Sequence, residues 1–277
     1  MDLSSRVLLG DKELTLLTDP RNAALYSEDY HFKEVYTSTQ QVRAAARQKQ
    51  FDLVVCDAYS PRVVWKKIQA APWVDFVGLY EFLNGFEVHR TYFAFARMME
   101  LLPLCHITEP IRPTISVSEK LEKSIPVDVC VAIGGEWSFR TYEHWLPIIQ
   151  WLVDRDLSVT LVGSENGKET AALISDSVPP VRSTVGQLSL PEVVGQIASS
   201  KAFIGADGGL WHIASAIPLP TVVLFADCQI FDEEGNRVTR ETTDMICETL
   251  YSDDSVSQIP YRSVIEACER LFRQINL

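Results

Sequence analysis

The sequence predicts an α/β fold with parallel sheets covered by helices on both faces. Three observations predict it. Apolar runs of strand length alternate with helix-patterned segments along most of the chain. The runs of the second half, such as Val127 to Ile133 and Thr221 to Phe225, are continuously apolar and rich in β-branched residues, as strands buried on both faces are. Three of these runs lead into glycine turns: Gly134-Gly135, Gly163-Ser164-Glu165, and Gly205 ahead of Ala206-Asp207-Gly208-Gly209.

In the first half, Glu13 to Thr18 reads as a strand stopped by Asp19-Pro20. Asn22 to Tyr26 reads as a short helix and Phe32 to Tyr36 as a strand. Gln40 to Gln50 is a helix rich in Ala, Arg and Gln. Phe51 to Cys56 is a buried strand ending at Asp57. Val63 to Ala70 reads as a helix and Asp75 to Leu79 as a strand. Arg90 to Leu102 is a long helix whose Phe93, Ala96, Met99 and Leu102 fall at core-packing spacing. Residues 103–127, punctuated by Pro103, Pro110, Pro113 and Pro126, read as a linker. The expected domains are therefore 1–118 and 119–277.

The second half restarts with Val127 to Ile133 as a strand. A helix over Glu143 to Asp154, a strand over Leu157 to Val162, a helix over Lys168 to Ser175 and a strand over Val181 to Val185 follow. A helix over Leu190 to Ser199 is opened by Pro191 and Glu192. Ala202 to Ile204 and Thr221 to Phe225 are strands, and Leu210 to Ala216 between them is a short helix stopped by Pro218 and Pro220. The last helix begins at Pro260 and aligns Val264, Ala267, Cys268, Leu271, Phe272 and Ile275 on one face. That face is expected to dock on a domain, with the first as one place for it.

The chain has 277 residues, of which 47% are hydrophobic and 22% charged, as in a soluble protein of two domains. Net charge is −12. Residues 1–125 hold 15 basic and 16 acidic side chains, and residues 126–277 hold 10 and 21, so the halves carry −1 and −11. Such a field disfavours nucleic acid and anionic membranes, and an anionic ligand needs local positive groups. No apolar run reaches the ~18 residues of a membrane span. The N-terminus lacks the pattern of a secretory signal, so a cytoplasmic location is expected. None of the six cysteines forms a C-x-x-C pair. Cys56 and Cys130 read as core residues, and the spacings of 19 and 21 among Cys228, Cys247 and Cys268 have no zinc-site character. No metal site is expected.

In a parallel α/β sheet, ligands bind outside the carboxyl ends of the strands. Gly134-Gly135 allows a close backbone approach, and Arg140 five residues on can clamp a phosphate; its plain alternative is a surface arginine. Glu165 and Glu169 can accept from ribose hydroxyls, or simply serve a helix N-terminus. Asp207 between an apolar strand and Gly208-Gly209 is the strongest candidate, placing an acceptor for hydroxyls beside backbone donors for phosphate. This combination suggests a nucleotide-sugar site. His212 reads first as a core or capping histidine, second as a base. Neither G-x-G-x-x-G nor a P-loop pattern occurs.

These residues resemble a known family. FIGADGGLWHIASAIPLPTVVLF is similar to the signature of the ADP-heptose:lipopolysaccharide heptosyltransferases. VDVCVAIGGEWSFRTYEHW, LSVTLVGSENGKETAALI and SLPEVVGQIASSKAFIGADGG resemble the segments before it. KQFDLVVCDAYSPR and VHRTYFAFARMMELL match more weakly. The resemblance implies a GT-B fold, two Rossmann-like domains across a cleft, with the donor held by the C-terminal domain and the acceptor presented by the N-terminal one. It implies a cytoplasmic, bacterial, metal-independent inverting glycosyltransferase that takes a nucleotide-sugar, ADP-sugars favoured, to a glycan or other acceptor. No cofactor is implied.

By the same resemblance Asp207, Gly208 and Gly209 meet donor sugar and phosphates, and Arg140 stands where the family has a phosphate-binding lysine. Glu169 is the first choice for the ribose and Glu165 the second. Family members open with a strand and a Gly-Asp loop that supplies the proposed base. Here Glu13 to Thr18 matches the family's second strand, which leaves that loop out and the N-terminal domain shortened. The other registration takes Arg6 to Leu9 as the first strand and Gly10-Asp11 as the base loop. Asp57 is a further base candidate, or a turn aspartate. The acidic balance speaks against phosphorylated lipopolysaccharide as acceptor, and against heptose as donor sugar. If the base is absent, the chain is a non-catalytic nucleotide-sugar-binding or assembly module.

Overall fold

The computed structural model describes residues 13–27, 29–48, 51–56, 61–78, 115, 124–226 and 245–277. Among them, those up to 115 and those from 124 onward form two compact units. The helix expected over Arg90 to Leu102, the boundary at 118/119, and Asp11, Asp57, Cys105 and Cys228 lie outside the described residues.

The first unit is built of short parallel strand pairs. β1 (Leu14–Leu17) pairs with β2 (Phe32–Tyr36), and α1 (Pro20–Tyr26) connects them. Asp19 caps α1 by accepting from Arg21 N at 3.0 Å, and Pro20 opens the helix where its missing N–H costs nothing. α2 (Thr39–Gln48) leads to β3 (Val54–Cys56), which pairs through α3 (Pro61–Ala70) with β4 (Phe76–Gly78). The strand predicted from Phe51 shrinks to three residues. Phe51 packs instead on a small cluster of Ala46, Ala71 and Val74.

The second unit holds one six-stranded parallel sheet. β5 (Val127–Ala132), β6 (Val159–Val162), β7 (Arg182–Ser183), β8 (Ser200–Ala206), β9 (Thr221–Ala226) and β10 (Cys247–Ser252) lie in the order β10-β9-β8-β5-β6-β7. Every pairing is parallel. Counted from β5 this is the 3-2-1-4-5-6 order of a doubly wound sheet, and the order reverses between β5 and β8. Val129, Val131, Phe203, Ile204, Val222 and Leu224 are fully buried, which is why these strands read as unbroken apolar runs.

The helices are α4 (Trp145–Val153), α5 (Lys168–Ser177), α6 (Leu190–Ala198), α7 (Gly209–Ala216) and α8 (Tyr261–Ile275). Ser189 and Glu192 form a capping box on α6. The apolar face predicted for α8 is consumed by this unit's own core, with Phe272 stacked on Trp151 of α4. β10 was not predicted. Its residues are half-buried and mixed in polarity, as at a sheet edge, so it carries no apolar run. The strand expected over Val181 to Val185 narrows to Arg182–Ser183, and beyond it Leu161 O accepts from both Thr184 N and Thr184 Oγ1, each at 2.9 Å. Burial pushes the Cys130 thiol up to about 12, leaving it a protonated core residue. Among the described residues no helix is long and apolar enough to cross a membrane.

The amino edge of the sheet is tied by Asp128. Its Oδ2 accepts from Ser158 N at 2.9 Å and Ser158 Oγ at 2.7 Å, and its Oδ1 meets Lys201 Nζ at 2.7 Å, so three strand starts share one carboxylate. Burial would raise its pKa, but the Lys201 ammonium and the Ser158 hydrogen bonds outweigh that and hold it below the ordinary value. A depressed folded pKa gives stability that is present above the unfolded value of about 3.9 and lost as pH falls through the folded one. Asp128→Asn is expected to lower Tm at pH 7 by ~2 °C, about 1 kcal/mol for a half-exposed pair. The gap from the parent should close as pH falls below ~4, which melting curves across pH 2–7 will check.

Candidate functional site

The strand order reverses between β5 and β8, and in sheets of this kind ligands bind at the carboxyl ends of the strands beside such a reversal. β5 runs into Gly134 at φ +88°, a left-handed conformation that suits glycine. A Cβ there would press on Asn166 Oδ1 and on the backbone of Gly167, each at 3.0 Å. A Cβ on Gly163, at the end of β6, would run into the Ile133 carbonyl, and one on Gly167 would lie 2.7 Å from it. The three glycines thus let two strand-end loops cross backbone to backbone. Asn166 fastens the crossing: its Nδ2 donates to Gly135 O, and its Oδ1 accepts from Ser164 Oγ at 2.7 Å.

Beyond Gly135 the chain folds into a 3₁₀ turn over Ser138–Arg140, closed by Arg140 N donating to Trp137 O at 3.0 Å. The Arg140 guanidinium leaves this turn, which follows β5, and reaches the end of the neighbouring strand β8. Its Nη2 lies 3.4 Å from Asp207 Oδ2. Asp207 is only 4% exposed and Arg140 32%, so a buried carboxylate faces a half-open cation. Asp207 N donates to Leu224 O at 2.8 Å, which continues the β8–β9 ladder and fixes the carboxylate at the sheet's rim.

Gly208 and Gly209 then open α7. A Cβ on Gly209 would meet no described atom within 4 Å, and one on Gly208 only Ala206 O at 3.9 Å. Neither glycine is demanded by packing, and the space outside them is open. The first N–H groups of a helix have no intrahelical partner and point outward with the positive end of its dipole.

His212 departs from the first reading made of it. Its ring is 62% exposed rather than core, and Nε2 lies 4.0 Å from Asp207 Oδ1. Asp207 precedes the helix, so its five-residue separation from His212 is not governed by helical angles. Glu165 and Glu169 stand at the carboxyl end of β6, one strand beyond β5. Glu165 is engaged by Lys168 Nζ at 2.8 Å, while Glu169 is exposed in the first turn of α5. Sequence reasoning passed over Asn166, Lys168 and Ser257. Asn166 had a signal in its place just past a strand-end glycine; Ser257 had none, because its contacts are over a hundred residues distant.

The sequence model of glycosyltransferase family 9 (heptosyltransferase) matches residues 129–231. The second unit is heptosyltransferase-like. Lipopolysaccharide heptosyltransferase 2 of Escherichia coli (strain K12) and that of Salmonella typhimurium (strain LT2) are each 34% identical over 87 residues. The match takes in 30% of this chain and spans a quarter, 25%, of each of these relatives.

Solved structures align more widely. A glycosyl transferase family 9 protein from Veillonella parvula has a TM-score of 0.76 at 12% identity, covering 98% of this chain and 92% of that one. E. coli ADP-heptose lps heptosyltransferase II has 0.74 at 17%, covering 99% and 95%. E. coli heptosyltransferase WaaC with ADP has 0.71 at 14%, covering 97% and 93%. At these identities the likeness concerns the fold, which is α/β of the GT-B class.

The glycines of the heptosyltransferase-like unit divide into two kinds, with opposite expected effects. Gly163→Ala forces a methyl into Ile133 O and should cost roughly 1–3 kcal/mol. Gly209→Ala, facing open space at a helix start, should leave stability within about 0.5 kcal/mol. Denaturant melts of both variants test the distinction; equal losses would count against it.

Proposed function

We propose that the chain is a metal-independent inverting glycosyltransferase whose heptosyltransferase-like unit binds a nucleotide-sugar, ADP-sugars favoured, at the carboxyl ends of β5 and β8. The observation that carries this reading is the meeting of Arg140 and Asp207 at the strand-order reversal. A donor of this class needs a cation for its diphosphate and an acceptor for its sugar hydroxyls. Arg140 has five N–H donors; Nε is buried and Nη2 faces Asp207, which leaves the remaining terminal N–H groups for phosphate. Asp207 supplies the acceptor, and Gly208-Gly209 let the ligand approach the N-terminus of α7.

Local cations matter here because residues 126–277 carry −11. Arg140 and the α7 dipole together offset diphosphate charge, the role a divalent cation would otherwise take. The structure of WaaC with ADP-2-deoxy-2-fluoro heptose supports an ADP-sugar as donor, heptose among the sugars. In the reaction, a base takes the proton of an acceptor hydroxyl, that oxygen attacks the anomeric carbon from the face opposite the leaving group, and the nucleoside diphosphate departs toward Arg140. Asp11 and Asp57 are the candidates for the base. Glu169, and next Glu165, is proposed for the ribose. The acceptor is a glycan or another hydroxyl compound.

Calorimetry with a panel of ADP-, UDP- and GDP-sugars tests the site. Binding is expected to be strongest for ADP-sugars and unaffected by a chelator. Arg140→Ala and Asp207→Asn should each weaken it about 10- to 100-fold, the loss of a charge-assisted contact in a partly buried site. A folded sample that binds none of the panel overturns the reading. A bound sugar neither transferred nor hydrolysed assigns the chain to a binding role.

A further inference from the structure

We infer that Ser257 is a positioning residue for Arg140, acting through the backbone of the turn that carries it. The inference rests on the nucleotide-sugar reading of the site. Ser257 lies in the loop that follows β10, and its hydroxyl holds two groups of the loop that follows β5. Ser257 Oγ donates to Thr141 O at 2.8 Å and accepts from Glu143 N at 3.1 Å. Ser257 O accepts from His144 Nε2 at 3.0 Å, so that ring nitrogen carries the proton. Tyr142 OH donates to Ile259 O at 3.0 Å. Four consecutive residues after Arg140 are thus tied to a segment 113 to 117 positions away.

The platform behind these bonds is rigid. Val256 and Ile259 on either side of Ser257 are buried in the core, and Ser255 Oγ accepts from Ser257 N at 3.3 Å. The Arg140 turn is closed by local bonds, from Arg140 N to Trp137 O, from Thr141 N to Ser138 O and from Thr141 Oγ1 to Trp137 O, and Phe139 within it packs against the core. Arg140 Nε is buried without a hydrogen-bond partner among the described residues, and the guanidinium meets Asp207 at 3.4 Å and lies 5.3 Å from the centroid of the Phe139 ring, a residue of the same turn. Its direction therefore depends on where the backbone launches it. A small tilt at Thr141 is magnified along the arginine side chain, and misplacement on the scale of 1 Å is costly for a charged clamp.

Removing the Ser257 hydroxyl leaves the apolar anchors Tyr142, Trp145, Val256 and Ile259 in place. The freed polar groups at Thr141 and Glu143 sit near solvent, where water can replace the lost partner. The effect should fall on phosphate binding and not on the fold.

The test is calorimetry of Ser257→Ala with ADP and with adenosine. ADP affinity is expected to fall about 5- to 10-fold, the scale of one hydrogen bond, while adenosine affinity stays unchanged. In an Arg140→Ala background the same change should cause no further loss of ADP affinity. Ser257→Thr, which keeps the hydroxyl, should retain it, and Ser257→Cys replaces the Ala variant should that one not fold. Equal losses for ADP and adenosine, or a full further loss without Arg140, would show a merely structural role and overturn the inference. So would an unchanged ADP affinity in a parent that binds ADP. A parent that binds neither ADP nor an ADP-sugar overturns the site reading itself.

Discussion

Asp207 is a carboxylate at the rim of a parallel sheet with almost no exposure, and the geometry around it follows from that. A buried carboxylate must be hydrogen-bonded or countered by charge. Here the counter-charge arrives from the neighbouring strand end, that of β5, on a turn that begins at Gly134 in the left-handed region. That route exists only because Gly134, Gly163 and Gly167 let two loops cross without side chains between them. The strand order, the glycines and the ion pair are therefore one arrangement. Removing the glycines displaces the turn, and displacing the turn leaves the carboxylate without its cation.

The same pair explains why a polar site stands at the end of so apolar a sheet. β8 and β9 are buried along nearly their whole length, and polarity begins where the β8 strand ends. The Asp207 amide still belongs to the ladder through Leu224 O. Its carboxylate is thus held by the most rigid part of the unit, while its partner Arg140 comes from a turn held by side-chain contacts. A precise acceptor and a cation of adjustable reach suit a ligand with a sugar at one end and a flexible diphosphate at the other.

Much of this was legible in the sequence. Continuous apolar runs identified the buried strands, because a strand covered on both faces has no alternation to confuse with a helix. Glycine at the strand ends marked the loops, and Asp207 stood out as a charge between an apolar run and two glycines. Three things were not legible. β10 has no apolar run because it lies at the sheet edge. The approach of His212 to Asp207 depends on where α7 begins, and the sequence leaves that open by a residue or two. Ser257 is an ordinary loop serine until folding brings it to Thr141, and no local pattern encodes a contact at that separation.

The charge distribution makes a demand that the geometry answers. Residues 126–277 carry −11, so their long-range field opposes a diphosphate at every distance beyond the site. Attraction must come from groups close enough to act within one Debye length, about 8 Å at physiological salt. Arg140 and the first turn of α7 are such groups, and both face the carboxyl ends of β5 and β8. With so few positive groups, the placement of each one decides the affinity. In a basic cleft a tilted arginine would be covered by its neighbours. If a diphosphate binds to this acidic unit as proposed, the backbone that aims Arg140 becomes as important as the guanidinium itself, and the loop after β10 then acts on the proposed site though it supplies no charge to it.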